Sequence, residues 1–367
     1  MFRRGSAVAL AAAATATAIA VAACSSSSTS SSASPSSPSG SASSSAAAAG
    51  NLPTVTMMVG GIDKQIYLPY MLAQQLGFYK KYGVNMQLST EVNGGVGAET
   101  AMASGQVDMA GAWYTHTIDF QLKGKNVIDV AQLSGSPGER IMCAKGTNIT
   151  SPAQWKGKTV GVTDIGSGTD QLTLYLAARY HLTTKDFSRF GAGAGSTFVS
   201  ALKNGRITCG MTTQPTVTAI EKLGIGYSAF DLATTAGVQK WLGGFAPTAG
   251  VLALSSWVDA NKATTQKVVD ALVATMHWIN THSAADIANA LPPSYVNNSL
   301  VTKADYITAL TQDKSQFLPD GMMPATGPQT ILAIDKLAGV VTGPVNLTTT
   351  YTNDYVIAAN KLEGFTK

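Results

Sequence analysis

The sequence predicts an α/β fold of two similar units, each a mixed, mostly parallel sheet covered by helices. Short apolar runs alternate with helix-period segments from residue 53 onward, and the alternation restarts near residue 146. A long helical segment then closes the chain. Alternation of this kind is typical of sheets layered with helices, and 367 residues suffice for two domains of ordinary size.

The N-terminus has the pattern of an export signal. An uncharged run from residue 5 to 23 follows Arg3 and Arg4 and ends in small residues directly before Cys24. This resembles the bacterial lipobox, in which the cysteine is acylated and becomes the first residue of the mature protein. Residues 1–23 are therefore predicted to be a lipoprotein signal peptide with Cys24 as the lipid attachment site. An ordinary secretory signal with a chance cysteine is the alternative.

Residues 24–52 are predicted to form a flexible linker behind that anchor. They carry no charged or aromatic side chain and consist almost entirely of Ser, Ala, Thr, Pro and Gly. Such a segment cannot bury enough apolar surface to offset its ordering entropy, and it reaches roughly 30 Å. The pattern predicts a folded body tethered to the outer face of a membrane.

The first unit, lobe I, is predicted over residues 53–145. Its strands are expected at 54–59, 84–88, 107–111 and 127–133, and its helices at 67–82, 98–104 and 115–122.

The second unit, lobe II, is predicted over residues 146–245 and opens on a capping box at Ser151 and Gln154. Its strands are expected at 159–163, 187–190, 207–212 and 226–230, and its helices at 169–181, 197–204 and 215–223.

Residues 246–367 are expected to return to lobe I. A strand at 249–254 precedes helices at 262–281, 283–291, 302–317, 327–339 and 352–362. A helical tail of this length is needed to cover the first sheet.

Charge and hydropathy exclude two broad classes of protein. Residues 53–367 hold 23 basic and 21 acidic side chains, because only Arg3 and Arg4 of the 25 basic residues lie before them. A balance so near zero argues against a nucleic-acid surface. The uncharged stretch at residues 241–258 is interrupted by glycine and proline, which argues against a membrane helix.

The search for catalytic, metal and cofactor motifs is negative. His277 and His282 are five residues apart, off the spacing of a helical metal pair, whereas His116 and His181 stand alone. No nucleophile elbow, zinc-protease motif, C-x-x-C or P-loop is present. We therefore predict no catalytic residue, no metal and no cofactor.

One structural pattern is repeated along the chain: a strand is followed by a loop of small residues and then by the N-terminus of a helix. It occurs at residues 60–61, 93–97, 166–169 and 193–196. Each loop leaves backbone N–H groups at the carboxyl end of a strand, where the helix dipole favours negative charge. Facing sheets with such loops predict a cleft for a small polar or anionic ligand.

Two cysteines remain if Cys24 is lipidated. Cys143 and Cys209 could pair in an oxidising compartment or could both be buried thiols, and the sequence favours the thiols.

Several segments resemble solute-binding proteins of ATP-binding-cassette (ABC) importers, of the nitrate/sulfonate/taurine type that also includes binders of thiamine-pyrimidine precursors. They occur in order within residues 54–260: Gly-Phe-Tyr at 77–79, Gly-Val-Asn at 83–85, Ala-Ser-Gly-Gln-Val-Asp at 103–108, Trp-Lys-Gly-Lys-Thr-Val-Gly-Val at 155–162 and Ala-Leu-Lys-Asn-Gly-Arg-Ile at 201–207.

The resemblance implies a type II periplasmic-binding-protein-like clamp of two lobes around a hinged cleft. It also implies an ABC permease and ATPase as partners, and we expect a monomer. The crossings between lobes are expected near residues 141–145 and 246–254.

The resemblance also implies which residues bind ligand. Gly166, Ser167, Gly168 and Thr169 match the loop that cradles an anionic head group. Other cleft loops are matched by Gly61, Asp63, Gly95, Trp113, Tyr114, Gly135 and Ser196. Gln214 lies in the triplet Thr-Gln-Pro, where many relatives have Trp, an acidic residue and Pro. Because of this departure, the resemblance does not carry the relatives' substrate over to this chain.

The residues near these loops leave the nature of the ligand open. Lys64 supplies the positive charge, whereas Asp63, Asp164 and Asp170 supply negative charge. Aromatic surface for a flat ligand is offered by Trp113, Tyr114, Tyr67 and Tyr70, although Tyr67 and Tyr70 could instead be core residues of a helix face. We predict a small anion of sulfonate, taurine or nitrate type, with a flat heteroaromatic vitamin precursor of pyrimidine or flavin type as the alternative.

Two further functions share this fold. Pyrimidine synthases and menaquinone-pathway lyases resemble the architecture, but the synthases have a cysteine cluster that this chain lacks. The other is a ligand-sensing lipoprotein, whose ligand-closed form would bind a receptor instead of a permease. We predict a non-enzymatic, lipid-anchored solute-binding protein.

Overall fold

The computed structural model describes residues 52–91 and 96–365. The predicted signal peptide, Cys24, almost all of the linker and Gly95 lie outside the described residues. The strands of the described part are β1 (Thr54–Val59), β2 (Asn85–Thr90), β3 (Met109–Trp113), β4 (Val127–Gln132), β5 (Glu139–Ala144), β6 (Thr159–Val162), β7 (Ser188–Gly191), β8 (Cys209–Thr213), β9 (Gly226–Leu232) and β10 (Ala249–Leu254).

Helices account for most of the remaining described chain. They are α1 (Leu68–Gln75), α2 (Phe78–Lys81), α3 (Gly97–Ala103), α4 (Thr115–Leu122), α5 (Gly168–Ala178), α6 (Ser196–Lys203), α7 (Thr216–Lys222), α8 (Thr235–Leu242), α9 (Ser255–Ala260), α10 (Lys262–Thr281), α11 (Ala284–Ala290), α12 (Pro293–Val296), α13 (Lys303–Asp313), α14 (Gly327–Leu337) and α15 (Asp354–Leu362).

The strands form two mixed sheets of the same design. The first has the order β2-β1-β3-β10-β4 and the second β7-β6-β8-β5-β9. In each, four strands run in the same direction and the fourth in the order is antiparallel to both of its neighbours. That strand is β10 in the first sheet and β5 in the second, each the first strand after the chain crosses between sheets.

The chain crosses between the sheets at residues 133–138 and 243–248. These passages run side by side, because Leu133 N–H donates to Ala249 O (2.8 Å) and the hydroxyls of Ser134 and Thr248 are 2.8 Å apart. The chain therefore enters the second sheet before residue 146, at which the sequence predicts the start of lobe II. The buried apolar run of β5 belongs to the second sheet because it pairs with β8 and β9.

Two local details differ from the predicted elements. The helix expected at 67–82 is divided into α1 and α2, because Gly77 adopts the left-handed conformation (φ 72°) that glycine accommodates best. Helix α8 was not predicted. The capping box at Ser151 and Gln154 is present, at the start of a single 3₁₀ turn.

Cys143 and Cys209 form a disulfide, so the favoured interpretation as two thiols is wrong. The two residues face each other directly in the antiparallel pairing of β5 and β8. That register brings together positions 66 residues apart in sequence, which spacing alone could not reveal.

The C-terminal helices cover the first sheet. Helix α10 packs against α1, α2 and α15, while α15 also packs on β4. Helix α14 contacts both α4 and α5, which follow strands of different sheets. Across residues 52–91 and 96–365, no helix has the length and hydropathy needed to span a membrane.

Candidate functional site

A small polar cavity lies between the two sheets, where β1, β3 and β6 end and the loops after them meet. Its volume is about 10 Å³, room for the centre of one water molecule. The cavity is lined by Lys64, Tyr67, Glu99, Ala112, Trp113, His116, Glu139, Thr163, Ser167, Gly168 and Thr169. A solute larger than water therefore enters only if the sheets separate or the side chains move.

The indole of Trp113 closes the cavity from one side. Trp113 ends β3 in the first sheet, and its ring lies directly on Gly168 at the start of α5 beside the second sheet. A Cβ placed on Gly168 would lie 2.0 Å from Cε3 of Trp113. Trp113 also hydrogen-bonds to the Tyr67 hydroxyl, so the contact positions two aromatic rings at the cavity.

Three hydroxyl groups also line the cavity. The Oγ atoms of Thr163, Ser167 and Thr169 lie 2.8–3.0 Å from one another. Ser167 caps α5 by accepting from Asp170 N–H (3.3 Å), and it donates to Asp164 O (2.7 Å). The loop is thus preorganised, with part of its hydrogen-bonding capacity used inside the protein.

Lys64 brings an ammonium group into the site. It is buried and donates to Gly60 O (3.0 Å). Burial lowers the pKa of Lys64, and the nearby carboxylates of Glu139 and Glu91 partly oppose that shift.

His116 brings a second cation. Its Nε2 lies 3.2 Å from Glu99 Oε1, and its Nδ1 lies 2.9 Å from Asp119 Oδ2. Burial lowers the pKa of His116, but the two carboxylates outweigh burial and raise it to about 9. Nδ1 is hydrogen-bonded to Asp119, whereas Nε2 faces the Glu99 carboxyl as a charge pair, and both contacts favour the charged imidazolium.

Glu139 opens β5 beside the first passage between sheets. Its side chain is buried, and Oε2 has no hydrogen-bond donor among the described residues. Burial raises the pKa of Glu139 to about 8, although the charges of Lys64 and Arg140 act to lower it. Arg140 itself turns to Asp313 and forms two bonds of 2.7 Å.

Polar links join the two sides next to the cavity. The Thr115 hydroxyl on α4 lies 2.6 Å from Gln171 Oε1 on α5 and 2.8 Å from Asp335 Oδ2 on α14. Gln171 Nε2 donates to Asp119 Oδ2 (2.7 Å). Asp119 thus receives hydrogen bonds from His116 on its own helix and from Gln171 across the cleft.

The structure brings together part of the predicted ligand-binding set. Six of those residues line the cavity: Lys64, Tyr67, Trp113, Ser167, Gly168 and Thr169. Gly61 lies beneath the Lys64 side chain, and Asp63, Asp164 and Gly166 lie nearby without lining the cavity. These positions lie at or after the ends of β1, β3 and β6. The loops after β1 and β6 are two of the four strand–loop–helix segments found in the sequence, and β3 precedes none of them.

The other predicted residues with described positions point elsewhere. The Tyr114 hydroxyl forms a hydrogen bond with the Thr350 hydroxyl (2.5 Å), in the part of the molecule that contains the first sheet. Gly135 lies in the first passage, against Leu318 and Phe245. Ser196 is exposed at the start of α6. The Gln214 side chain accepts from Thr218 N–H of the following helix, α7, while its carbonyl accepts from Gln65 N–H.

Three charged lining residues were missed from sequence: Glu99, His116 and Glu139. Glu99 and His116 lie in the first turns of α3 and α4, directly after candidate cleft loops, and that position was a usable signal. Glu139 has no such signal, because it lies in the unpredicted β5. Among the described residues, no group of His, Cys, Asp and Glu side chains is arranged to hold a metal ion.

The sequence profile of a family described as NMT1/THI5 like matches residues 65–285. Among curated proteins, Bacillus subtilis YtlA, named as a candidate binding protein, is 22% identical over 262 residues, which is 70% of this chain and 75% of YtlA. The Saccharomyces cerevisiae 4-amino-5-hydroxymethyl-2-methylpyrimidine phosphate synthase THI12 is 29% identical over 142 residues. That match spans 38% of this chain and 40% of the synthase.

Solved structures share the architecture. A Bordetella bronchiseptica protein has a TM-score of 0.78 and 29% identity, over 85% of this chain and 98% of that one. The periplasmic nitrate-binding protein NrtA from Synechocystis has a TM-score of 0.67 and 17% identity, over 85% and 89%. The alkanesulfonate-binding protein SsuA from Xanthomonas axonopodis pv. citri, bound to MOPS, has a TM-score of 0.63 and 16% identity, over 83% and 99%. The predicted periplasmic-binding-protein-like fold is confirmed.

Replacing Gly168 by Ala should prevent the contact with Trp113, because the new methyl group would overlap the ring. We expect the two sheets to separate, with a larger radius of gyration in small-angle X-ray scattering and a changed tryptophan emission spectrum. Gly191→Ala is the matched control, since its Cβ would meet no atom closer than 3.7 Å. A Gly168→Ala profile identical to wild type would contradict the role of this contact.

Stability should fall as the pH rises from 6 to 9. The pKa values of Glu139 and Asp335 are raised by burial to about 8, and that of Asp129 to about 7, so the stability from their folded-state protonation is lost through that range. The pKa of His116, raised to about 9, acts in the same direction, whereas the lowered pKa of Lys64 opposes it.

Each group that keeps its proton only in the folded state contributes a slope of about 1.4 kcal/mol per pH unit. Guanidinium unfolding at half-unit pH steps measures the total slope, and Glu139→Gln should reduce it. A free energy of unfolding that stays flat or rises between pH 6 and 9 would show that these carboxyls do not retain protons in the folded state.

Proposed function

Because this chain belongs to the NMT1/THI5-like family, we propose that it is the extracytoplasmic solute-binding component of an ABC importer. The observation that carries the proposal is the polar cavity lined from both sheets at the ends of their strands. Ligands of open α/β sheets bind at such strand ends. In this proposal the two sheets are the two lobes of a monomeric clamp, and residues 133–138 and 243–248 form its hinge.

The proposed mechanism is closure around a solute. The cavity of about 10 Å³ is too small for an organic solute, so the solute binds an open form and the lobes close on it. The Trp113–Gly168 contact and the Thr115–Gln171 hydrogen bond would form as the lobes meet. The closed surface would then dock on the permease.

Two classes of solute have support in the cavity. A small anion, as the names of the nitrate- and alkanesulfonate-binding neighbours suggest, would face the Lys64 ammonium and the start of α5. A flat heteroaromatic precursor, as the partial match to a pyrimidine synthase suggests, would stack on Trp113 or Tyr67.

An enzymatic function has less support. The match to the synthase spans only 40% of that enzyme. In the cavity, the His116 ring faces Glu99 and Asp119, and no cysteine or serine nucleophile among the described lining residues is hydrogen-bonded to it. We propose that the site binds its ligand unchanged.

Export and membrane anchoring are part of the proposal. The Cys143–Cys209 disulfide is a bond that persists in oxidising compartments, which supports a location outside the cytoplasm. The charged start, apolar run and Cys24 support a lipid anchor, and residues 24–52 would span the distance to the permease.

Thermal unfolding of residues 50–367 against a compound panel tests the solute-binding function. A ligand at 100 times its Kd should add about 2.7 kcal/mol, which shifts the melting temperature by several degrees. The panel contains taurine, ethanesulfonate, nitrate and bicarbonate together with aminopyrimidines and riboflavin. Thr169→Ala should reduce the shift, whereas Ser200→Ala, exposed on α6, should not. Absence of any shift across such a panel would count against a solute-binding role.

Cys24→Ser should release the protein from membranes, because the thiol that would carry the lipid is lost. Membrane and soluble fractions of expressing cells, separated by ultracentrifugation and probed by immunoblot, measure the distribution. Ser25→Ala, beside the cysteine, is the matched control and should stay in the membrane fraction. Equal membrane retention of the Cys24→Ser chain would refute the lipid anchor.

A further inference from the structure

The cleft contains an acceptor that the protein does not use. Glu139 is only 2% exposed and lines the cavity, and its Oε2 has no hydrogen-bond donor among the described residues. The guanidinium of the next residue, Arg140, is committed to Asp313 through two bonds of 2.7 Å. Buried carboxylate oxygens are normally hydrogen-bonded, so an unpartnered one that faces a cavity points to a donor from outside the protein.

A second buried carboxylate lies on the same cavity. Glu99 is 3% exposed; its Oε1 lies 3.2 Å from the His116 imidazole, and its Oε2 has no donor among the described residues. Glu99 and Glu139 come from different elements, α3 and β5, and the cavity lies between those elements. The fold therefore directs two acceptor groups at one small space.

The charges around the cavity favour a cation over an anion. The Lys64 ammonium feels the carboxylates of Glu139, Glu91, Asp63 and Glu99, while His116 is held between Glu99 and Asp119. Five carboxyl groups thus lie near three basic groups, because Arg140, although it is bonded to Asp313, also acts electrostatically on Glu139. An added anion would increase this excess of negative charge, whereas an added cation would reduce it.

The other residues that line the cavity also fit a cationic solute. Trp113 and Tyr67 present aromatic surface, which attracts cations and stacks on flat rings. The hydroxyls of Thr163 and Thr169 can either donate or accept, so they can pair with a polar group of either kind.

We propose that this cleft selects solutes with a positively charged nitrogen, such as an ammonium, an amidinium or a protonated amino-heterocycle, and that Glu139 and Glu99 accept its N–H groups. The inference rests on the proposed function and narrows its solute class. Bare anions such as nitrate or an alkanesulfonate without an amino group lack the donor that these carboxylates require.

Matched pairs of compounds test this selection on the wild-type protein by isothermal titration calorimetry at pH 8.5, above the pKa of about 8 that burial gives Glu139, so that its carboxyl is ionised. The pairs are taurine with ethanesulfonate, 4-aminopyrimidine with 4-methylpyrimidine, and benzamidine with benzamide. We expect at least one pair in which the member with the cationic or amino nitrogen binds ten-fold or more tightly than its partner, since a charge-assisted hydrogen bond is lost in the partner.

Variants of Glu139 assign the selection to that residue. Glu139→Gln removes the charge at constant size and should reduce the preference within the pair to less than three-fold. Glu139→Asp keeps the charge and should retain the direction of the preference. Glu221→Gln, exposed on α7, is the matched control and should behave as wild type. Circular dichroism melting of each variant establishes that it is folded before titration.

The outcomes separate this inference from the proposed function. Tighter binding of ethanesulfonate or nitrate than of any amino compound would overturn the inference while leaving the solute-binding function intact. A preference for the amino member that Glu139→Gln and Glu99→Gln leave unchanged would also overturn it. Absence of binding in every pair and for every anion would overturn both.

Discussion

The close approach of the two sheets depends on the contact between Trp113 and Gly168. The indole ends a strand of the first sheet and lies on the backbone that starts α5 beside the second sheet, at a distance that no side chain on residue 168 would permit. The small volume of the cavity and the hydrogen bonds of Thr115 and Gln171 across the cleft all require this approach. A glycine in this loop therefore serves close packing between lobes as well as local backbone freedom.

The cleft also concentrates charge that burial makes costly. Lys64, Glu99, His116 and Glu139 are all less than a tenth exposed. Their pKa shifts follow from that burial, because removing water disfavours each charged form unless an opposite charge lies close. A protein selected for stability alone would replace such groups by apolar ones. Their position at the strand ends, away from the apolar core, is what a binding site requires.

Local patterns in the sequence predicted much of this fold, and long-range pairing accounts for what they missed. Apolar periodicity located nine of the ten described strands, and the glycine loops located the Ser167–Thr169 wall of the cavity. Strand β5 was missed because its residues were assigned to the crossing between lobes that was expected near residues 141–145. The Cys143–Cys209 bond and Glu139 were misjudged with it, because both depend on the register of β5. A buried carboxylate is indistinguishable in sequence from a solvated one, which explains the omission of Glu99.

In the proposed clamp, the contacts between the lobes are mostly polar. Polar contacts allow the clamp both to close and to open. Thr115 with Gln171, Gln65 with Gln214, and Lys222 with Asp305 join groups that water can hydrate once the sheets separate. Each such link therefore contributes little net free energy to closure. The Arg140–Asp313 pair is buried and is therefore a stronger link. Arg140, however, lies close to the first passage between the sheets. A rotation of one sheet about that passage moves nearby atoms least, so the pair need not break. Closed and open forms are then separated by few enough kcal/mol for a solute to decide between them through its differential affinity.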